Sequence, residues 1–355
     1  MLGVQMSVII ERAEEHEKIK KLLSKEIPSY RQAYSDRTSM IMACLSELAY
    51  IKFNEPLLDS TNKKLIKNAT KLLGKEKASY IYKLIDLLAY DSEKERKILE
   101  SDLVLLNLKL EKTFDEKGTQ AILVSSEEFY VLAFRGTEPT SIADIKSDLD
   151  AIQTSCETGG RIHRGFKSAF NDVHTQIQTY INQNLKDKPL FITGHSLGGA
   201  LATVATKKLI YPQIAGCYTY GSPRIGDERW MLGIRSPVYR LVNSADPVTM
   251  LPPGSDLIDI ASLLVKFIPT FGDSWSKRLE SKFGGYSHVG YMRYLTNIEN
   301  GNFGDARLLY SVSFLRRFRA YFSNIKHYSK IPSDHSMVVY RKKLQSIAYY
   351  KQKIN

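Results

Sequence analysis

The sequence predicts an α/β protein: a largely parallel central sheet flanked by helices, preceded by a helical N-terminal region. Three observations carry this. From about Glu11 to Tyr50 and again from Lys63 to Leu99, apolar residues recur at helical spacing among Lys and Glu, without the glycine and proline clusters that bound strands. The texture then changes at "TQAILVSSEEFYVLAFRGT", which reads as two short strands, Thr119 to Val124 and Phe129 to Phe134, around a polar Ser-Ser-Glu-Glu turn. Beyond it, strand and helix alternate. A helix is expected over Phe170 to Leu185, a strand at Leu190 to Thr193, a helix over Leu197 to Ile210, and strands at Ile214 to Tyr220 and Val238 to Asn243. Such alternation favours parallel pairing, because each parallel connection needs a crossover long enough to hold a helix.

With 355 residues, 43% hydrophobic and 25% charged, the chain can bury a full core and reads as an ordinary globular protein, with disorder not the default. No apolar run approaches the roughly 20 residues of a membrane span, and the first residues turn acidic after about ten positions without a small-residue cleavage site. No signal peptide is expected. Cys44, Cys156 and Cys217 are odd in number and widely spaced, the pattern of buried or free thiols rather than of a disulfide framework or a metal site. A cytoplasmic location is expected, with export by a route that leaves no N-terminal signal as the alternative.

The net charge of +12 is concentrated at the far end, where Gly301 to Asn355 holds eleven Lys/Arg against Asp305 and Asp334. Such a field suits peripheral contact with an anionic membrane, and equally the solvated face of lysine-rich helices. In "LLYSVSFLRRFRAYFSNIKHY", Phe314, Phe318 and Phe322 fall on one helical side with Arg316, Arg317 and Arg319 nearby. The apolar stretch between Ser255 and Phe283 reads either as a lid or interface loop or as a core helix.

The chemistry is concentrated in "FITGHSLGGA". A β-run ends at Thr193, the turn Gly194-His195-Ser196-Leu197-Gly198 follows, and a helix-forming run begins. Glycines two positions either side of a serine let strand and helix meet at a tight elbow, which exposes the hydroxyl at a helix N-terminus where negative charge is favoured. Ser196 is the candidate nucleophile. A serine needs a base and the base an orienting carboxylate. Asp246, in the Ser-Ala-Asp-Pro turn just past the Val238 to Asn243 strand, is placed for the second role. Three histidines follow it: His288, His327 and His335. His335 is preferred, since it follows a Pro-Ser-Asp loop and opens an amphipathic helix, with His288 and His327 as alternatives.

Five segments in order, "AFRGTE" at Ala133, "IHRGF" at Ile162, "TGHSLGGALA" at Thr193, "YGSPRIGD" at Tyr220 and "NSADPVTMLPP" at Asn243, resemble the class 3 lipases of the α/β-hydrolase fold. The resemblance spans about Thr38 to Tyr350, dividing the chain into a helical N-terminal extension (1–35) and a class 3 lipase-like domain (36–355). It implies an oxyanion hole formed by the backbone N–H groups of Thr137 and Leu197. His163 and His195 take structural positions, and His335 matches the family's late Asp-His element. The lid pattern Asp-Trp-x-x-Asp is altered: Ile145 stands for Trp between Asp144 and Asp148, and Asp148 would brace the Thr137 loop. The implied activity is that of a serine esterase on acyl-lipid esters, of lipase or phospholipase A type, with no cofactor, metal or nucleic acid. The same site would serve acyl transfer, and a catalytically silent membrane-binding module is the reading from another class.

Overall fold

Among the described residues, eight strands form one sheet in the order β1-β2-β3-β6-β7-β8-β9-β10. The computed structural model describes residues 7–25, 27–29, 32–53, 66–68, 70, 90–136, 152–252, 285–298, 301–313, 316–317 and 334–354. Strands β1 (Lys109–Glu116), β2 (Thr119–Ser125) and β3 (Tyr130–Phe134) are an antiparallel meander. From β3 onward, β6 (Leu190–His195), β7 (Ile214–Tyr220), β8 (Val238–Asn243) and β9 (Tyr291–Leu295) pair in parallel. The short β10 (Leu308–Leu309) closes the edge antiparallel to β9, and β4 (Gln153–Ser155) with β5 (Arg161–His163) makes a separate hairpin. This is the α/β-hydrolase architecture.

Alternation along each strand splits the core in two. Val131, Ala133 and Phe191 point to one face, where they pack with α1 (Ala13–Leu23), α2 (Asp36–Leu48), α3 (Ser92–Leu105) and the closing helix α7 (Met337–Ile354). Leu132, Phe134, Leu190 and Ile192 face α4 (Arg164–Asn184) and α5 (Leu197–Lys208) on the other side. The short α6 (Glu228–Met231), capped by Asp227, buries Trp230 in that second layer. Ile9, Ile19 and Leu22 share the first core with α2 and α7, so residues 7–23 pack as part of the main body.

Several elements depart from expectation. β6 runs two residues further, through His195, and α4 begins six residues before Phe170. Its cap is His163, whose Nδ1 accepts from the Gly165 N–H at 3.1 Å, and a histidine cap carries no Ser/Asp signature. Helix α5 stops at Lys208, two residues short of Ile210. Strand β1 was not expected. It is an edge strand on which Phe114 alone is buried, so its Lys/Glu-rich sequence shows no apolar alternation. Most of Lys63 to Tyr90 lies outside the described residues, as do the lid positions Asp144 to Asp148 and the Ser255 to Phe283 stretch.

The basic C-terminal segment is not a uniform charged face. Arg341 and Lys343 are fully buried. Arg341 Nε binds Glu47 Oε2 at 2.6 Å, and Lys343 Nζ donates to Asn243 Oδ1 at 3.1 Å and to the Thr296 carbonyl at 2.9 Å. Arg316 is exposed and Arg317 half-buried, while Phe314, Phe318, Arg319, Phe322 and His327 lie outside the described residues.

Candidate active site

Strand β6 delivers the chain to a turn that only glycine permits at two points. A side chain on Gly194 would collide with the Gly198 carbonyl, and one on Gly198 would collide with the Phe134 carbonyl and the following peptide. Between them Ser196 adopts φ +56°, ψ −126°, a conformation that costs a non-glycine residue of order 1–3 kcal/mol and persists only where its surroundings impose it. Here the Ser196 N–H is held by the Tyr220 carbonyl at 2.9 Å on the neighbouring strand, and α5 starts immediately after.

Chain ends distant in sequence meet on this serine. His335 lies 139 positions away, and its Nε2 stands 2.9 Å from Ser196 Oγ. Its Nδ1 is 2.9 Å from Asp246 Oδ2 and 3.0 Å from Oδ1. A carboxylate only accepts, so Nδ1 carries the proton, and the Nε2 lone pair is left to receive the serine hydroxyl. Asp246 takes two further donors: the Val248 N–H on Oδ1 at 2.9 Å and the Tyr340 hydroxyl on Oδ2 at 2.7 Å. Burial and the adjacent Asp246 charge hold the Tyr340 phenol well above its ordinary pKa, which keeps it a donor. A third glycine makes room, for Gly221 has φ +58° and a Cβ there would press on Asp246 Oδ2 and the His335 ring.

His195 braces His335 through its main chain. Its Nε2 donates to the His335 carbonyl at 2.7 Å, which leaves Nδ1 to accept from the Tyr50 hydroxyl at 2.8 Å. Burial pulls its pKa well below 6.5, so the ring is neutral. His288 is elsewhere, with Nε2 donating to the Thr249 carbonyl at 2.7 Å. Sequence reasoning missed Tyr340, Tyr50 and Gly221. Only Gly221 stood inside a quoted motif, and nothing local marks any of them as neighbours of the site.

Leu197 is the first residue of α5, and its N–H is among those that a helix N-terminus leaves without an intrahelical acceptor. Because β3 and β6 pair with Phe134 opposite Gly194, the peptide Phe134–Gly136 packs on Gly198 beside the elbow. Thr137 lies outside the described residues.

The Lipase (class 3) family profile matches residues 131–255, which hold β3, the elbow and Asp246. Over that third of its length the chain is similar to the class 3 lipases. The chain is 31% identical over 145 residues to a lipase of Rhizomucor miehei, a match covering 37% of this chain and 39% of the relative. It is 36% identical over 110 residues to a secreted mono- and diacylglycerol lipase of Fusarium solani, covering 28% and 33%. A third relative, the toxin TseL of Vibrio cholerae, is 27% identical over 235 residues, covering 53% and 36%. These matches span roughly a third of each relative's length. The Rhizomucor miehei lipase–propeptide structure overlays with TM-score 0.42 at 20% identity, covering 84% of this chain and 85% of that one. No helix among the described residues is long and apolar enough to cross a membrane.

Proposed function

We propose that this chain is a serine ester hydrolase acting on acyl-lipid esters. The observation that carries the proposal is the line Ser196 Oγ, His335 Nε2, His335 Nδ1 and Asp246 Oδ2, joined by two 2.9 Å contacts at a strained elbow. In the proposed reaction Ser196 attacks the ester carbonyl as His335 takes its proton, and Asp246 stabilises the imidazolium. The Leu197 N–H, with that of Thr137, holds the tetrahedral oxyanion. Loss of one such donor costs about 3–4 kcal/mol of transition-state stabilisation. His335 then protonates the leaving alcohol, and water, activated by the same imidazole, releases the acid. No cofactor enters these steps.

Peripheral contact with an anionic membrane belongs to the same proposal, through fewer charges than the sequence suggests, because Arg341 and Lys343 face inward. A cytoplasmic location is proposed from the three free, buried thiols. The deciding experiment is hydrolysis of short- and long-chain p-nitrophenyl esters, triacylglycerol and phospholipid vesicles by wild type and Ser196→Ala. The variant is expected to fold and to lose about a millionfold in rate. A folded Ser196→Ala chain that still turns over esters defeats the proposal.

A further inference from the structure

Beside Asp246 the described residues hold a group of arginines, Arg240, Arg317 and Arg224. Strand β8 turns Arg240 to the sheet face that also carries Val242, Met292 and Tyr294. The residue as a whole is half-buried, yet its Nε and Nη1 atoms are buried and have no hydrogen-bond partner. An unpaired, desolvated guanidinium nitrogen costs more than an ordinary missing hydrogen bond, so native structures seldom keep one without a use. The charges acting on it are the guanidiniums of Arg317 and Arg224. With burial, they pull Arg240 down to about 9, still charged at neutral pH.

Arg317, Arg224 and the neutral ring of His288 meet on the turn that starts at Thr249, three residues past Asp246. Arg317 Nη2 donates to Thr249 Oγ1 at 3.2 Å and His288 Nε2 to the Thr249 carbonyl at 2.7 Å. Arg224 Nη1 donates to the Met250 and Pro252 carbonyls at 2.5 and 2.8 Å. Thr249 Oγ1 in turn donates to the Asp246 carbonyl at 3.0 Å, which ties this turn to the triad acid. Asp246 acts on Arg317, but its carboxylate is already engaged by His335, Tyr340 and Val248. Several guanidiniums around one turn, one of them with two open donors aimed in different directions, suit an anion with several acceptor oxygens and more than one charge, as phosphate has, better than a single carboxylate.

We propose that Arg240 and Arg317, with Arg224 beside them, form an anion subsite that takes the phosphate group of a phosphoglyceride whose ester lies at Ser196. The inference rests on the ester-hydrolase reading for its substrate, but not for the binding of the anion itself.

Two readouts test it on the full chain. In the first, Ser196→Ala protein is titrated with inorganic phosphate by calorimetry and phosphorus NMR. Saturable binding is expected, weakened about tenfold or more by Arg240→Gln and by Arg317→Gln. In the second, the chain with Ser196 intact hydrolyses monomeric diheptanoyl phosphatidylglycerol and diheptanoylglycerol. The ratio of kcat/KM for the two is expected to fall about tenfold in either arginine variant and to recover in part in Arg240→Lys. Circular dichroism checks each fold, and half-buried Arg317 carries the test if Arg240→Gln does not fold. Phosphate binding lost in the variants with an unmoved ratio keeps the anion site for free phosphate and overturns the headgroup assignment. No phosphate binding and an unmoved ratio, in a chain that hydrolyses the neutral ester, overturn the subsite and leave the hydrolase standing. Phosphate binding in a chain inert towards every ester does the reverse.

Discussion

Tyr340 and Arg341 are consecutive on α7, about 100° apart around the helix, and they serve different parts of the molecule. Tyr340 reaches the triad: its hydroxyl donates to Asp246 Oδ2 and accepts from the Asn243 N–H at 2.9 Å. Arg341 reaches the N-terminal layer, with Nε on Glu47 and Nη1 on the Ile9 carbonyl at 2.8 Å. Both side chains are fully buried and both are satisfied. The difference lies in what a lost partner leaves behind. Without the Tyr340 hydroxyl, Asp246 keeps two donors. Without Arg341, Glu47 is a buried carboxylate alone, and burial already pushes its pKa upward against the pull of that arginine. One helix therefore carries a contact to the proposed triad and a structural clasp that mutation can separate.

The largest effect belongs to the triad side. His335→Ala is expected to lower ester hydrolysis by about a millionfold while the melting temperature stays close to wild type. His288→Ala should retain the triad and most of its turnover of a soluble, neutral ester. If the two rates come out reversed, the base has been misassigned.

On the clasp side, Arg341→Met should cost about 3–5 kcal/mol of unfolding free energy in urea, because one buried charge remains unpaired. Adding Glu47→Leu should restore most of that loss, and the specific activity of the folded protein should change little throughout. A stability loss that Glu47→Leu leaves uncorrected would mean that the Ile9 contact, not the ion pair, carries the clasp.

Tyr340→Phe sharpens the contrast. Removing one donor from the ionised Asp246 should lower kcat/KM by about tenfold, with a stability cost of about 1–2 kcal/mol from the unpaired Asn243 N–H. A purely structural role would lower the melting temperature without touching the pH–rate profile, so the profile of the variant decides between the two.

The smallest effect is titration of His195, the link between Tyr50 and His335. Its folded pKa is depressed, so its contribution is fully present above the unfolded value of about 6.5 and is lost as pH falls below it. The loss approaches 1.4 kcal/mol per pH unit for this one group. Urea titrations between pH 7.5 and 5 should show that slope reduced by His195→Asn. An unchanged slope would place the acid sensitivity elsewhere.

Much of this was legible in the chain. Strands β2, β3, β7 and β8 are apolar runs closed by turn residues, and the elbow is written in the two glycines flanking Ser196, because no other residue survives the backbone approach there. Edge strand β1 and outer strand β9 were not legible. One exposes most of its residues, and the other places Arg293 in its centre, where the guanidinium lies over the Tyr34, Tyr239 and Tyr310 rings. The C-terminal charge misled for a related reason: sequence counts cations but not their partners, and Arg341 and Lys343 find theirs inside.

The sequence by itself determined the alternation of strand and helix, the elbow and its serine, and the order serine, acid, histidine, since each depends on residues within a few positions of one another or on their order along the chain. Only the tertiary structure could bring His335, rather than His288, to Ser196, seat Tyr340 on Asp246 and His195 on the His335 carbonyl, and gather Arg317, Arg224 and His288 on the turn from Thr249 to Pro252. Those contacts join positions 26 to 140 residues apart. Their geometry follows from parallel strands ending at one edge of the sheet and from α7 returning across them, information that no local window contains.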